Sequence, residues 1–316
     1  MIDFRYHLIS LIAVFLALGL GILMGSVVLS EKYVNRLENR VETFEGEVDE
    51  RRREVTLLND RIDALQEFAL QSQPRLIDGA LAGEKVVAFE IHGTDEVLLE
   101  GITDVIRQSG GTVVSTITLT DRFMLTDQPE RDQLALILGS VSGEGRALRD
   151  EAGRLLGQRA AVAASTPVED RRRGASPATQ RLVDLIEQLE EAEFVGISTT
   201  EELPVPAGAS FVVAAGSSEP SRGGARDLAL ALAGGIANGE GSAILTEPVG
   251  SSWELASTLR DDGSLSAVVA SADHADTVPG RISVVLGLDL VLDGVVGHYG
   301  TGDGASEIVP PPTPRA

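Results

Sequence analysis

Between residues 8 and 29 the chain carries no charge, and between residues 34 and 69 an apolar side chain returns almost every seven positions. A helix needs about 20 apolar residues to cross a bilayer. The first run therefore predicts a transmembrane anchor over residues 1–30. With Val34 at position a, the register continues through Val41, Val48, Val55, Ile62 and Ala69, and the d positions read Leu37, Phe44, Arg51, Leu58 and Leu65. β-Branched residues at a with Leu frequent at d favour two parallel strands. Residues 31–71 are thus expected to form a parallel coiled-coil stalk.

The flanking charges suit that pairing. In a parallel pair Arg40 at g faces Glu45 at e of the second helix, and Glu47 at g faces Arg52 at e. Each contact is worth only about 0.3 kcal/mol, so such pairs select register more than they drive association. Arg51 at a d position and Gly46 inside the repeat are its two flaws. One amphipathic helix lying on its own globular domain is the alternative. At 1.5 Å per residue the repeat would span about 50 Å.

A cleaved signal peptide carries an apolar core of about 7 to 15 residues followed by small residues. Here the run is longer and leads into Ser30, Glu31, Lys32 and Tyr33, which favours an uncleaved anchor over cleavage near Ser26. The short leader, with Arg5 beside Asp3, is expected to stay in the cytoplasm and to leave residues 31–316 outside. Ala13, Ala17, Gly21 and Gly25 recur at four-residue spacing along one helix face. Such a stripe lets two helices approach closely in lipid, although Gly and Ala are also simply common in membrane helices.

Beyond the stalk, short runs rich in β-branched residues at 85–91, 112–118, 134–138, 211–215, 243–246 and 267–270 predict buried strands. Helical patterns separate most of them. Val97, Leu98, Ile102, Val105 and Ile106 make one apolar face, with Thr94 or Asp95 as N-cap and Gly110-Gly111 as the stop. Residues 228–237 and 253–259 predict two more helices, and Leu182, Leu185, Ile186 and Leu189 mark another. Strand and helix in alternation, with continuously apolar strands, imply a mainly parallel α/β sheet covered on both faces. This domain is placed at 72–308. Polar residues 166–179 are read as an exposed loop, residues 203–209 as a break between two halves of the sheet, and the proline-rich 309–316 as a disordered tail.

Composition narrows the function. A net charge of -22 argues against nucleic acid or an anionic lipid surface as the main partner. Without cysteine there are no disulfides, so a domain outside the cytoplasm depends on apolar burial. Aromatic residues make up only 4% of the chain, lean for a carbohydrate-binding surface. No nucleotide-binding, zinc-protease, serine-hydrolase or dithiol motif occurs, and no enzymatic activity is expected.

Four histidines remain: His7, His92, His274 and His298. His274 with Asp273, and His298 with Asp303, are the candidate metal pairs by imidazole and carboxylate chemistry. Surface or packing roles are the alternative for both histidines. Copper(I) wants soft sulfur ligands, and only Met1, Met24 and Met124 supply sulfur. The run Gly300-Thr301-Gly302-Asp303-Gly304 resembles a phosphate loop, but it is read as a tight glycine turn.

Several segments resemble the mycobacterial copper transport protein B (MctB) family of actinobacteria: Asp3-Phe4-Arg5-Tyr6-His7, the anchor at 10–26, Thr118-Leu119-Thr120-Asp121-Arg122-Phe123, Pro279-Gly280-Arg281-Ile282, and the ending Val296-Gly297-His298-Tyr299-Gly300-Thr301-Gly302-Asp303-Gly304-Ala305. The resemblance covers essentially the whole chain. It implies an envelope protein of copper homeostasis or efflux, with copper as a ligand, in a family described as an outer-membrane channel component. From the residues themselves, one apolar helix and buried-type strands make no pore. They suggest instead a dimeric scaffold or regulator that presents its domain to another envelope protein, such as a cell-wall or cell-division enzyme.

Overall fold

The computed structural model describes residues 4–140, 143–166, 176–221 and 224–311, with the side chains of residues 26–39 and 42 outside that description. Two units result, residues 1–67 and 68–316. Helix α1, Phe4–Ile77, runs on through Gly46 without a break. Its segment Phe4–Gly25, of mean hydropathy 2.6, is long and apolar enough to cross a membrane. Ala13, Ala17, Gly21 and Gly25 lie within this segment, and a Cβ added at either glycine would meet nothing.

In the second unit, strands β1 (Lys85–Ile91), β2 (Thr112–Leu119), β3 (Val195–Thr199), β4 (Ala209–Ala214), β5 (Ala243–Thr246), β6 (Ala270–Ala272) and β7 (His298–Tyr299) form one sheet. Its order is β3-β2-β1-β4-β5-β6-β7. All neighbours are parallel except β2 and β3. Residues 203–209 lead from the edge strand β3 to the central strand β4. The first three strands and the last four thus lie on opposite sides of the β1/β4 pairing, within one continuous sheet.

Strand residues alternate between two cores, as the two-residue period requires. Val87, Phe89 and Ile91 join Phe211, Val213 and Leu245 on one face. Against them pack α3 (Gln128–Leu138), α4 (Gly145–Ser165), α5 (Pro177–Glu191), α6 (Ala225–Asn238) and the short α7 (Leu255–Asp261). Val86, Val212, Ala214, Ile244 and Ala270 belong to the other face. Helices α2 (Glu96–Gln108) and α8 (Val278–Leu292) cover that side, together with Ile77 at the end of α1. The sheet is therefore sandwiched between helical layers.

Several expectations need correction. Residues 134–138, expected as a strand, close helix α3. Asp127 and Glu130 form a capping box at its start and Gly139 stops it at φ +68°. Only Leu134 and Ala135 are buried, whereas Leu136 points outward, so the short apolar run carries no strand period. The last expected strand, 267–270, is displaced to Ala270–Ala272, because pairing with β5 begins at Ala270. Residues 177–179 of the expected loop open helix α5, where Pro177 is pre-set for the first turn and Ser176 caps the Thr179 amide.

Four elements have no counterpart in the sequence pattern: β3, α4, α8 and β7. Edge strand β3 is largely exposed and so shows no apolar run. Helix α4 buries a mostly small face: Ala152, Gly153, Gly157 and Ala160. That face lets α4 approach α6 so closely that a Cβ on Gly157 would stand 2.8 Å from the Ile236 backbone nitrogen. Residues 167–175 of the expected loop and 312–316 of the expected tail lie outside the described residues.

Candidate functional site

With both sheet faces covered, the carboxyl ends of the parallel strands are where functional side chains gather. Strand β6 leads into Asp273, which is 3% exposed. Its Oδ2 accepts from Arg260 Nη1 at 2.7 Å and from the Gly302 amide at 3.1 Å, and Oδ1 accepts from the Thr301 amide at 2.9 Å. Arg260, supplied by helix α7, also donates to the carbonyls of Tyr299 and Asp303 and to Ser271 Oγ. A buried carboxylate with one guanidinium and two amides is a satisfied charge pair.

This arrangement explains the glycine-rich ending. Gly300 sits at φ +127°, a conformation that favours glycine, and any Cβ there would collide with the Asp273 carboxylate. Gly302 passes the same carboxylate, Gly304 passes the Arg260 stem, and Gly297 lies against the Tyr299 ring. The turn wraps a carboxylate and presents it with amides, so the anion that a phosphate loop would bind is here the protein's own Asp273.

The same geometry sets His298 apart from the other candidate metal residues, since Asp273, His274 and Asp303 line one pocket of about 250 Å³. His298 pairs across the sheet with Ser271, and both its ring nitrogens are used: Nδ1 lies 3.0 Å from Ser271 Oγ and Nε2 3.1 Å from the Ser266 carbonyl. Because a carbonyl only accepts, Nε2 carries the proton and Nδ1 accepts from the serine hydroxyl. Burial, with the Arg260 charge nearby, holds the imidazole below its ordinary pKa despite the Ser266 bond. His274, at φ +57°, reaches Thr301 Oγ1 through Nδ1 at 2.6 Å and stands 3.3 Å from Asp273. Asp303 contributes its main-chain carbonyl to Arg260. Asp273 and His274 are thus together, His298 is separate, and among the described residues no three His, Asp or Glu side chains are placed to hold a metal.

A second feature lies at the β1/β4 switch point, where ligands bind in open α/β sheets. A crevice of about 360 Å³ is lined by His92 and Gly93 after β1, Asp121, Met124 and Thr126 after β2, Glu130, Glu219 and Pro220 after β4, and Trp253 after β5. Glu130 belongs to helix α3, which follows the β2 loop. The sequence does not single out His92 with Met124, because 32 positions separate them and no local spacing links them.

On the first unit, the heptad positions Val41, Phe44, Val48, Val55, Leu58, Ile62 and Leu65 are 46–68% exposed. Val34 and Leu37 fall among the side chains outside the description.

Together these features define an α/β protein with an N-terminal apolar helix and a C-terminal turn locked on a buried ion pair. The profile of the family described as "Copper transport outer membrane protein, MctB" matches residues 1–310. The chain belongs to this family. It is 29% identical over 322 residues to the Mycobacterium tuberculosis (strain ATCC 25618 / H37Rv) protein named "Copper transporter MctB", covering 98% of this chain and 99% of that one. The protein of the same name from Mycobacterium leprae (strain TN) is 28% identical over 323 residues, covering 98% and 100%.

Two outcomes test this geometry. Asp273→Ala strands the Arg260 guanidinium and should cost about 3–5 kcal/mol of unfolding free energy in urea titration; a loss below about 1 kcal/mol would contradict the buried pair. His298 binds its proton more readily unfolded than folded. Its stability contribution is therefore complete above the ordinary imidazole value of ~6.5, falls as pH drops through that value, and levels off below the depressed folded one. Thermal midpoints from pH 8 to 5 should fall less in His298→Gln than in the parent, and parallel curves would refute this.

Proposed function

We propose that the chain is a single-pass envelope protein that serves the copper-related role named for its relatives as a parallel homodimer. Its N-terminus would lie in the cytoplasm and its α/β domain outside. The observation that supports this reading most is the exposed apolar stripe of the helix between Val41 and Leu65. Seven large side chains at a and d positions stand exposed there. Leaving such a stripe in water is costly, at roughly 25 cal/mol per Å² of apolar surface, and a second copy covers it in register. Arg40 opposite Glu45, and Glu47 opposite Arg52, fit the parallel orientation.

The same geometry favours work within an assembly over conduction by this chain alone. A membrane-spanning barrel needs a closed sheet with lipid-facing residues. Here the sheet is open at β3 and β7 and covered by helices on both faces. Among the described residues one helix is long and apolar enough to cross a membrane, and two such helices in a dimer line no pore.

A second reading is supported by the internal engagement of His274 and His298: a scaffold or regulator of a cell-wall or cell-division enzyme, with the stalk as docking surface. In-cell crosslinking separates the two readings, since copper-handling proteins or cell-wall enzymes would be captured respectively.

Light scattering of the full chain in detergent should report a dimer at micromolar concentration, and Phe44→Glu with Leu58→Glu should yield monomer. In cells that depend on this protein for copper tolerance, the same double variant should be copper-sensitive at normal expression. A monomeric parent chain overturns the pairing, and copper tolerance unchanged by deletion overturns the copper role.

A further inference from the structure

The crevice at the β1/β4 switch point holds the chemistry that the candidate metal residues lack. His92 and Met124 both line it. Met124 ends the 3-10 turn Asp121–Met124, which Thr120 caps by accepting from the Arg122 amide. Its carbonyl is held by Arg149 Nη1 at 3.2 Å, and Leu125 leaves the turn in the left-handed region at φ +52°. The backbone of His92 is fixed in turn by donation to the Leu119 carbonyl at 2.8 Å. Both side chains thus stand on fixed backbone at neighbouring strand ends. Unlike His274 and His298, the His92 ring makes no hydrogen bond among the described residues.

The remaining lining residues favour positive charge in general, and the thioether supplies the softness. Asp121 adds a carboxylate, and among the described residues no Lys or Arg side chain lines the crevice. Trp253 is buried and forms one wall, with its Nε1 donating to the Glu219 carbonyl at 3.0 Å. Gly93 stands against that ring, where a Cβ would come within 3.5 Å of Cζ2. A thioether with an imidazole selects copper(I), whereas zinc, magnesium and calcium prefer other sets, built from thiolate, imidazole and carboxylate for zinc and from oxygen for the other two. The lack of any three-residue His, Asp and Glu cage among the described residues therefore counts against those ions and not against a thioether site.

We propose that this crevice is a copper(I) site, with the Met124 thioether and the His92 imidazole as ligands and Asp121 balancing the charge. The inference rests on the copper reading above and gives it a location. It assigns copper to residues other than His274 and His298.

Trp253 is the only tryptophan in the chain and so reports on this crevice alone. The full chain in detergent is titrated without oxygen with copper(I) buffered by a competing chelator, and tryptophan emission is followed. Saturable quenching at one equivalent is expected. His92→Gln and Met124→Leu should each weaken binding by about tenfold or more, with unchanged circular dichroism, while His274→Ala and His298→Ala keep the parent affinity. Absence of binding, quenching that survives in the His92→Gln, Met124→Leu double variant, or binding that leaves Trp253 emission unchanged each overturns the site. The copper role is tested separately by copper tolerance of the deletion in cells, which stands or falls without this titration.

Discussion

A sheet covered by helices on both faces has only its strand ends left for binding, and this constraint shapes the whole α/β unit. Phe89, Phe211 and Val213 are fully buried against one helical layer, and Val86, Val212 and Ile244 against the other. Apolar strands of this kind have no face to offer lipid. Whatever the domain binds must meet the loops after β1, β2, β4, β5 and β6, or a surface outside the sheet altogether.

At those strand ends two solutions appear. Around β6 and β7 a buried carboxylate is taken up by the protein itself: Asp273 takes Arg260 and two amides, and glycines bring the backbone within reach of the carboxylate. That closure ties the end of the chain to helix α7 and is a matter of stability. Around β1 and β4 the space stays open as a crevice lined by an imidazole and a thioether. The glycine-rich terminal motif therefore marks a structural lock, whereas the open crevice belongs to the loops after other strands.

Much of this is legible in the sequence, for identifiable physical reasons. Strands β1 and β5 stand at their expected bounds because short, mainly apolar runs, with Glu90 the one charge inside β1 beyond its first residue Lys85, are bounded by charged or polar residues. Helix α2 is legible from its one-sided apolar face. What escapes depends on contacts remote in sequence. Helix α4 buries alanines and glycines, whose weak hydrophobicity gives little period, and their role emerges only when α6 packs on them. His298 looks like a ligand because the sequence shows a nearby carboxylate but not Ser266 and Ser271, which occupy its two nitrogens. His92 and Met124 share a crevice only because β1 and β2 are parallel neighbours.

Parallel pairing of two chains along the heptad stripe is the central claim for the helix that precedes this domain. The absence of native cysteine makes it directly measurable in membranes. Val48→Cys, at an a position, places the same residue of two parallel helices face to face, whereas Arg53→Cys, at f, points away from the seam. Mild oxidation should convert Val48→Cys largely to disulfide-linked dimer and leave Arg53→Cys monomeric. Equal crosslinking at both positions, or none at Val48→Cys, would contradict parallel pairing.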